Sequence, residues 1–275
     1  MGDCLLLTSP LRALKQEFPG FRVSVLVDPA FSACFDGNPD VDEIIVTGEK
    51  KYQTVGRLLI RRFHTIVNLH GGPTSLSYSC AAWGRRIGVE GYQYGRMYSA
   101  LIPRPKASLH TVEATMDLFR HLGLRDEKPP NLHYARHQDE ANWVGKTLRD
   151  RPYVVIHPAT QMETKRWSAE GFASVGNMLA EAGLLTVLTS GPGEEAIVGE
   201  TAKDLPESVI LFGLTMPQLA ELIRGARLYV GNDSGPMHLA AAVGTPTLAV
   251  WGSSDSGRWR PWGVAHRIVQ NPFDC

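Results

Sequence analysis

Along the chain, short apolar runs rich in β-branched residues alternate with stretches whose apolar residues recur at helical spacing. Continuous runs of Val, Ile, Leu and Thr suit strands covered on both faces. They predict strands at Val23–Val27, Ile44–Val46, Thr65–Leu69, Tyr153–His157, Leu185–Thr189, Val209–Leu211, Leu228–Val230 and Thr247–Trp251. Helices are predicted at Pro10–Glu17, Val112–Leu122, Ala169–Ala182, Glu195–Asp204 and Met216–Arg224, the last with Thr215 as its N-cap. This alternation predicts an α/β protein of parallel sheets with helices on both faces. Right-handed crossovers then bring the loops after each strand to one edge, where ligands bind.

The stretch Arg125–Asn131 is polar, holds two prolines and reads as a linker. The strand series restarts at Tyr153, which divides the chain into two Rossmann-like lobes, residues 1–135 and 136–275. The chain opens on Gly2-Asp3 and a helix-like segment, whereas a doubly wound lobe opens with a strand before that turn. It closes just after an apparent strand, Arg267–Val269, so it reads as clipped at both ends. No internal repeat or low-complexity tract interrupts the pattern.

Composition adds little to this picture. The chain is 43% apolar and 20% charged, as expected for a globular protein with a sizeable core. Its formal net charge is zero, so no global charge draws it to nucleic acid. The distribution is uneven: 19 Lys and Arg face 16 Asp and Glu in residues 1–150, but 9 face 12 in residues 151–275. Between 57 and 106, eight basic residues face a single acid, Glu90, which makes that segment either a solvated face or an anion-facing surface. Cys4, Cys34, Cys80 and Cys275 fit no metal spacing and read as free thiols of a reducing cytoplasm. No apolar run reaches the length of about 18 residues that a membrane helix needs, and no signal peptide is recognisable. Leu6 breaks the myristoylation pattern that Met1-Gly2 begins.

Four places hold candidate chemistry. After the strand Tyr153–His157 come Pro158-Ala159-Thr160 and Thr164-Lys165-Arg166-Trp167-Ser168, a loop leading into a helix. A lysine ahead of a helix N-terminus is placed to meet a phosphate, and Arg166 to fork onto its oxygens; the plainer reading is a surface lysine beside a packed Trp167. After Gly231, the turn Asn232-Asp233-Ser234-Gly235 enters an Ala-rich helix that carries His238 one turn in, on the face of Ser234. Small residues there admit phosphates to the backbone amides; the alternative is that Asp233 and Ser234 only cap the helix and His238 belongs to the core. After Leu185–Thr189, a Gly-Pro-Gly turn leads to Glu194 and Glu195, either of which suits a ribose hydroxyl or merely complements a helix dipole. Asp3, the acid at the opening turn of the first lobe, is placed to take a proton from an attacking hydroxyl, or else to cap a helix in which Pro10 sits near the first position. His70-Gly71-Gly72 reads as a tight turn without catalytic role, and the Trp and Tyr residues of 78–98 as core or as acceptor contacts.

Taken together these segments resemble glycosyltransferase family 9, the heptosyltransferases that assemble the lipopolysaccharide core. The likeness rests on Gly2-Asp3 through Pro10, Asn38-Pro39-Asp40, Asn68-Leu69-His70-Gly71-Gly72, Ile156-His157-Pro158, Lys165-Arg166-Trp167, Gly191-Pro192 with its two acids, and Asp233-Ser234-Gly235-Pro236-Met237-His238. It implies a GT-B fold in which the first lobe binds the acceptor and the second an ADP-sugar donor, with inversion at the anomeric carbon and no obligatory metal or cofactor. It implies Asp3 as catalytic base and Lys165 as the phosphate-binding lysine. Asp233, Ser234, Gly235 and His238 match diphosphate and sugar contacts, Thr160 a donor contact, and Glu194 or Glu195 a ribose contact. The implied acceptor is an anionic glycolipid, which the basic 57–106 segment suits, with the enzyme cytoplasmic and in peripheral contact with the inner membrane. Transfer from a different nucleotide-sugar, and nucleotide binding without turnover, are the alternatives.

Overall fold

The computed structural model describes residues 1–125 and 128–270. Its elements run α1 (Gly2–Glu17), β1 (Ser24–Val27), β2 (Glu43–Val46), α2 (Lys51–Leu59), β3 (Arg62–Val67), α3 (Pro73–Ala81), β4 (Trp83–Val89), β5 (Ala100–Ile102) and α4 (Thr111–Arg120). They continue with α5 (Gln138–Leu148), β6 (Tyr153–His157), α6 (Ala169–Glu181), β7 (Leu185–Thr189), α7 (Glu195–Lys203), β8 (Val209–Leu211) and α8 (Met216–Gly225). Last come β9 (Tyr229–Asn232), α9 (Gly235–Val243), β10 (Thr247–Trp251), α10 (Ser256–Trp259) and β11 (His266–Gln270).

The second half forms one sheet of parallel strands in the order β8-β7-β6-β9-β10-β11. The chain winds outward from β6 to β8, then returns to start again at β9, so the order reverses between β6 and β9. At that switch two successive crossovers leave in opposite directions and open a crevice beyond the carboxyl ends of the strands. β6 and β7 are buried along their whole length. Successive residues of β6 serve opposite faces, Val155 packing into the core shared with α8 and α9, Ile156 into the core under Phe172 of α6 and Val198 of α7.

The first half holds two parallel groups, β1-β2 and β3-β4-β5, packed with α1 and α4. Helix α1 joins the two halves. It buries Leu5, Leu6, Leu11 and Ala13, and it packs on α4 of the first half and α9 of the second. The segment between the halves is strapped down on both sides. Ser9 donates to the Pro130 carbonyl, as does Trp262 Nε1, and Arg224 donates to the carbonyls of Tyr134 and Ala135.

The structure departs from the sequence pattern in instructive places. The first helix begins at Gly2, not near Pro10, so Pro10 lies inside it and Asp3 does not cap it. Burial of Leu5 and Leu6 between two other helices outweighs the hydrogen bond that Pro10 removes. β3 begins at Arg62 and ends at Val67, ahead of the predicted run. β4, with the sequence Trp-Gly-Arg-Arg-Ile-Gly-Val, carries no apolar alternation at its start and becomes a strand by pairing with β3 and β5. Helices α2, α3 and α5 were also not apparent from the pattern. Thr215 caps α8 as predicted, in a reciprocal arrangement with Gln218.

Candidate functional site

The polar residues of the second half gather at the carboxyl ends of β6, β7, β9 and β10. Asn232, the last residue of β9, is fully buried and uses both ends of its amide. Its Nδ2 donates to the Pro158 carbonyl at 2.8 Å, and its Oδ1 accepts from the Trp167 amide at 3.0 Å. It therefore clamps both ends of the loop that carries Lys165. Lys165 lies in a single turn of 3₁₀ helix, and its Nζ meets Asp233 Oδ2 at 2.6 Å. Ser254, from the loop after β10, donates to the same carboxylate oxygen. A β-carbon on Gly252 would collide with the Thr164 carbonyl and Lys165 Cα, so the β10 loop lies directly against the lysine loop.

Sequence spacing places Lys165 and Asp233 as separate ligand contacts; the structure pairs them. The Asp233 carboxylate is buried and spends itself on Lys165 and Ser254, so it orients the ammonium while leaving that group's other protons to face an anion.

Helix α9 starts at Gly235, with Ser234 at its N-cap position. The hydroxyl of Ser234 does not cap the helix, contrary to one sequence reading; it is buried beside the Tyr229 hydroxyl. His238 is likewise buried, with Nδ1 unpartnered. A helix N-terminus with a buried hydroxyl and imidazole beside it, and a lysine opposite, makes an anion-binding arrangement. Burial lowers the His238 pKa to about 4, assisted by the Met1 amino group and Lys165 and opposed by Asp233. The imidazole is neutral at physiological pH.

The first turn of α1 completes the site. Gly2 rests on the His238 ring, since a β-carbon there would stand 2.7 Å from Cδ2, and Gly235 is crossed equally closely by the Met1 side chain. Asp3, the next residue, is exposed at this junction. Glu194 and Glu195, indistinguishable by position in the sequence, part company in the structure. Glu194 is half-buried, accepts from the Gly191 amide at 2.9 Å and lies 3.8 Å from His157 Nε2. Glu195 is exposed and accepts from the Gly193 amide at 3.3 Å. His157 hydrogen-bonds Thr189 through Nδ1, and its complete burial lowers its pKa to about 4. Thr160 is buried, and its carbonyl accepts a hydrogen bond from Arg166, so that guanidinium is partly committed to the loop itself.

The sequence model of glycosyltransferase family 9 (heptosyltransferase) matches residues 63–275. The chain belongs to glycosyltransferase family 9. It is 28% identical to a lipopolysaccharide heptosyltransferase 3 of Escherichia coli K12 over 98% of its own length and 84% of that protein's. It is 22% identical to the lipopolysaccharide heptosyltransferase 1 of the same strain, over 99% of its own length and 91% of the relative's. Among solved structures it resembles a family 9 glycosyltransferase of Veillonella parvula, with a TM-score of 0.90, 19% identity and coverage of 100% of this chain and 86% of the other. It also resembles an E. coli heptosyltransferase solved with ADP, with a TM-score of 0.82, 21% identity and coverage of 98% and 90%. The family-9 glycosyltransferase adopts the GT-B architecture of parallel sheets.

The sequence motifs named Asp3, Thr160, Lys165, Glu194, Asp233, Ser234, Gly235 and His238, and the fold brings these to one region. Glu195 faces outward beside it. Three residues of the site escaped sequence reading: Asn232 as a clamp, and Gly252 and Ser254. The latter two follow a buried strand in the run Gly252-Ser253-Ser254-Asp255, the same small-and-polar signature that marks the turn after β9.

Proposed function

We propose that this chain is an inverting glycosyltransferase that moves heptose from ADP-heptose to the inner core of lipopolysaccharide in the cytoplasm. The observation that carries the reading is the meeting of Asp3's helical turn with the α9 N-terminus through Gly2 and His238. It supports a reading in which the Asp3 carboxylate works beside an anion-binding arrangement, as displacement of a nucleoside diphosphate requires. In this reading residues 1–135 bind the acceptor and residues 136–275 the donor. The acceptor hydroxyl attacks the anomeric carbon from the face opposite the diphosphate. Its proton passes to Asp3, the new C–O bond forms, and the electron pair of the breaking bond leaves on the ADP oxygen. Lys165, the α9 amides and the Ser234 hydroxyl receive the growing negative charge, with Asp233 and Ser254 holding Lys165 in place. His238, neutral, accepts or donates a hydrogen bond to the sugar or its phosphate. Thr160 and Glu194 contact the donor, Glu194 through the ribose; Glu195 is the weaker candidate because it faces outward. No metal or other cofactor enters this scheme.

The test is ADP-heptose binding by calorimetry beside turnover on purified inner-core glycolipid. The wild type is expected to bind and transfer, whereas Asp3→Asn binds equally well and loses turnover by about 10²–10⁴-fold, the range of general-base contributions. Binding of ADP without transfer by the wild type would sink the enzymatic reading, and binding of another nucleotide-sugar in preference would replace the donor.

A further inference from the structure

Two cysteines that spacing along the chain leaves unrelated face one another in the fold. Cys4 lies in the first turn of α1, and Cys34 in the 3₁₀ segment Pro29–Phe35 that packs against this helix. Both are free thiols, and they hydrogen-bond one another. Cys34 is buried. Its Sγ lies 3.9 Å from the Met1 carbonyl oxygen and 3.8 Å from Sδ of Met216, the first residue of α8. The pair therefore sits in a seam where α1, the 3₁₀ segment and α8 meet. Cys4 is only half-buried, so a small solute reaches the pair from its side.

Neither thiol has a part in the proposed transfer. A buried cysteine by itself acts as a small apolar residue, but a touching pair can also form a bond. The two are unequal. The hydrogen bond with Cys34 stabilises the Cys4 thiolate and lowers its pKa, against the effect of burial; the Met1 amino group adds to the lowering and Asp3 opposes it. The same contact, together with burial, pushes the Cys34 thiol up. A partly exposed thiol with thiolate character beside a buried one is the arrangement of an attacking and a resolving cysteine. In a reducing compartment such pairs open and close with oxidant supply and do not serve as permanent staples.

We propose that Cys4 and Cys34 are a peroxide-oxidisable pair that closes to an intramolecular disulfide at the first turn of α1. The Cys4 thiolate attacks one oxygen of a hydroperoxide. The O–O bond breaks, the alkoxide leaves and takes up the proton that Cys4 gave, and Cys4 becomes a sulfenic acid. The Cys34 sulfur then attacks the Cys4 sulfur, and the S–O bond breaks. Hydroxide leaves with the Cys34 proton as water. Two thiols are oxidised and one hydroperoxide is reduced to an alcohol and water, so no further reactant is needed. Closing the contact to the about 2.05 Å of a disulfide draws Cys4 toward Pro29–Phe35. Asp3 immediately precedes Cys4, and Gly2 rests on His238, so the turn that carries Asp3 is pulled with it. The bond itself is independent of the proposed reaction; only its effect on turnover rests on that reading.

The experiment uses the full chain with Cys80→Ser and Cys275→Ser, so that this pair alone remains. It is treated with hydrogen peroxide and mapped by mass spectrometry without reduction. The expected product joins the Cys4 and Cys34 peptides, two hydrogens lighter than the reduced pair, with Met216 unoxidised, and dithiothreitol reverses it. Cys34→Ala should leave a sulfenic acid on Cys4 that dimedone traps, and Cys4→Ala should keep Cys34 reduced; melting temperatures check that both variants fold. Oxidation should lower turnover by about tenfold to a hundredfold, as displacement of a catalytic group does, with ADP binding unchanged and activity restored by dithiothreitol. Cys4→Ala should transfer with or without peroxide. A sulfinic acid at Cys4, a sulfoxide at Met216 or a bond between two chains in place of the intramolecular disulfide would overturn the proposal. The disulfide with unchanged turnover would overturn the coupling to Asp3. A reduced chain that transfers nothing would sink the proposed function instead, and the mass map would still decide the disulfide.

Discussion

Gly2 and His238 are in contact across 236 positions of sequence, so close that any side chain on Gly2 must displace the imidazole. This contact seats the first turn of α1, and with it Asp3, on the N-terminus of α9. The His238 ring is buried and cannot swing aside cheaply. Gly2→Ala is therefore expected to cost about 1–3 kcal/mol of stability, the range for overpacking. It should also lower turnover more than donor affinity. Adding His238→Ala to Gly2→Ala should recover part of the stability, which a double-mutant cycle by urea denaturation would measure.

Lys165 and Asp233 form one unit in the proposed donor site. Lys165→Met is expected to weaken ADP binding by about tenfold to a hundredfold, as loss of a charge-assisted hydrogen bond does. Asp233→Asn should weaken it less, because the ammonium remains but is no longer aimed. The double variant should bind no worse than Lys165→Met alone. Additive losses in calorimetry would show that Asp233 touches the ligand directly.

Gly252 passes against the backbone of Thr164 and Lys165. Backbone cannot move aside as a flexible side chain does, so Gly252→Ala should shift the lysine loop bodily. The expected result is lower donor affinity with a smaller change in melting temperature than Gly2→Ala produces. A Gly252→Ala protein with wild-type ADP affinity would show that the loop tolerates the shift.

His157 and His238 couple stability to pH. Burial keeps both imidazoles neutral in the folded protein down to about pH 4, while in the unfolded chain they take up a proton near the ordinary 6.5. Between those values the unfolded state binds more protons, so stability falls as pH is lowered from 6.5 toward 4. Each histidine accounts for a loss on the order of 3 kcal/mol by pH 4. Urea midpoints across pH 4–8 should show this slope, and it should be shallower in His157→Gln.

Glu194 and Glu195 provide a comparison within one turn. Glu194 is held by the Gly191 amide and lies beside His157, whereas Glu195 is exposed at the start of α7. Glu194→Gln should weaken ADP binding by about tenfold, the effect of one hydrogen bond to a charged group, and Glu195→Gln should leave it unchanged. Equal effects in calorimetry would remove the distinction.

Much of this protein is legible in its sequence because the relevant signals are local. Strands β6, β7, β8 and β10 run where their apolar stretches lie, since a strand buried on both faces needs no partner information to be recognised. Thr215 announces α8 by capping chemistry confined to one turn. The small and polar residues after the strands mark the ligand edge, and the motif order identifies the family. What the tertiary structure alone decided depends on contacts between distant positions. Parallel pairing placed β9 beside β6 and so created the crevice; strand pairing made β4 a strand despite its glycines and arginines. Packing between α4 and α9 carried α1 back through Pro10 to Gly2. Lys165 met Asp233 across 68 residues, Ser254 joined them, and Glu194 turned inward while Glu195 did not. Spacing along a chain encodes periodicity and turn chemistry. Which side chains finally share a charge or a cavity is settled by the crossovers and by the close packing of the elements they bring together.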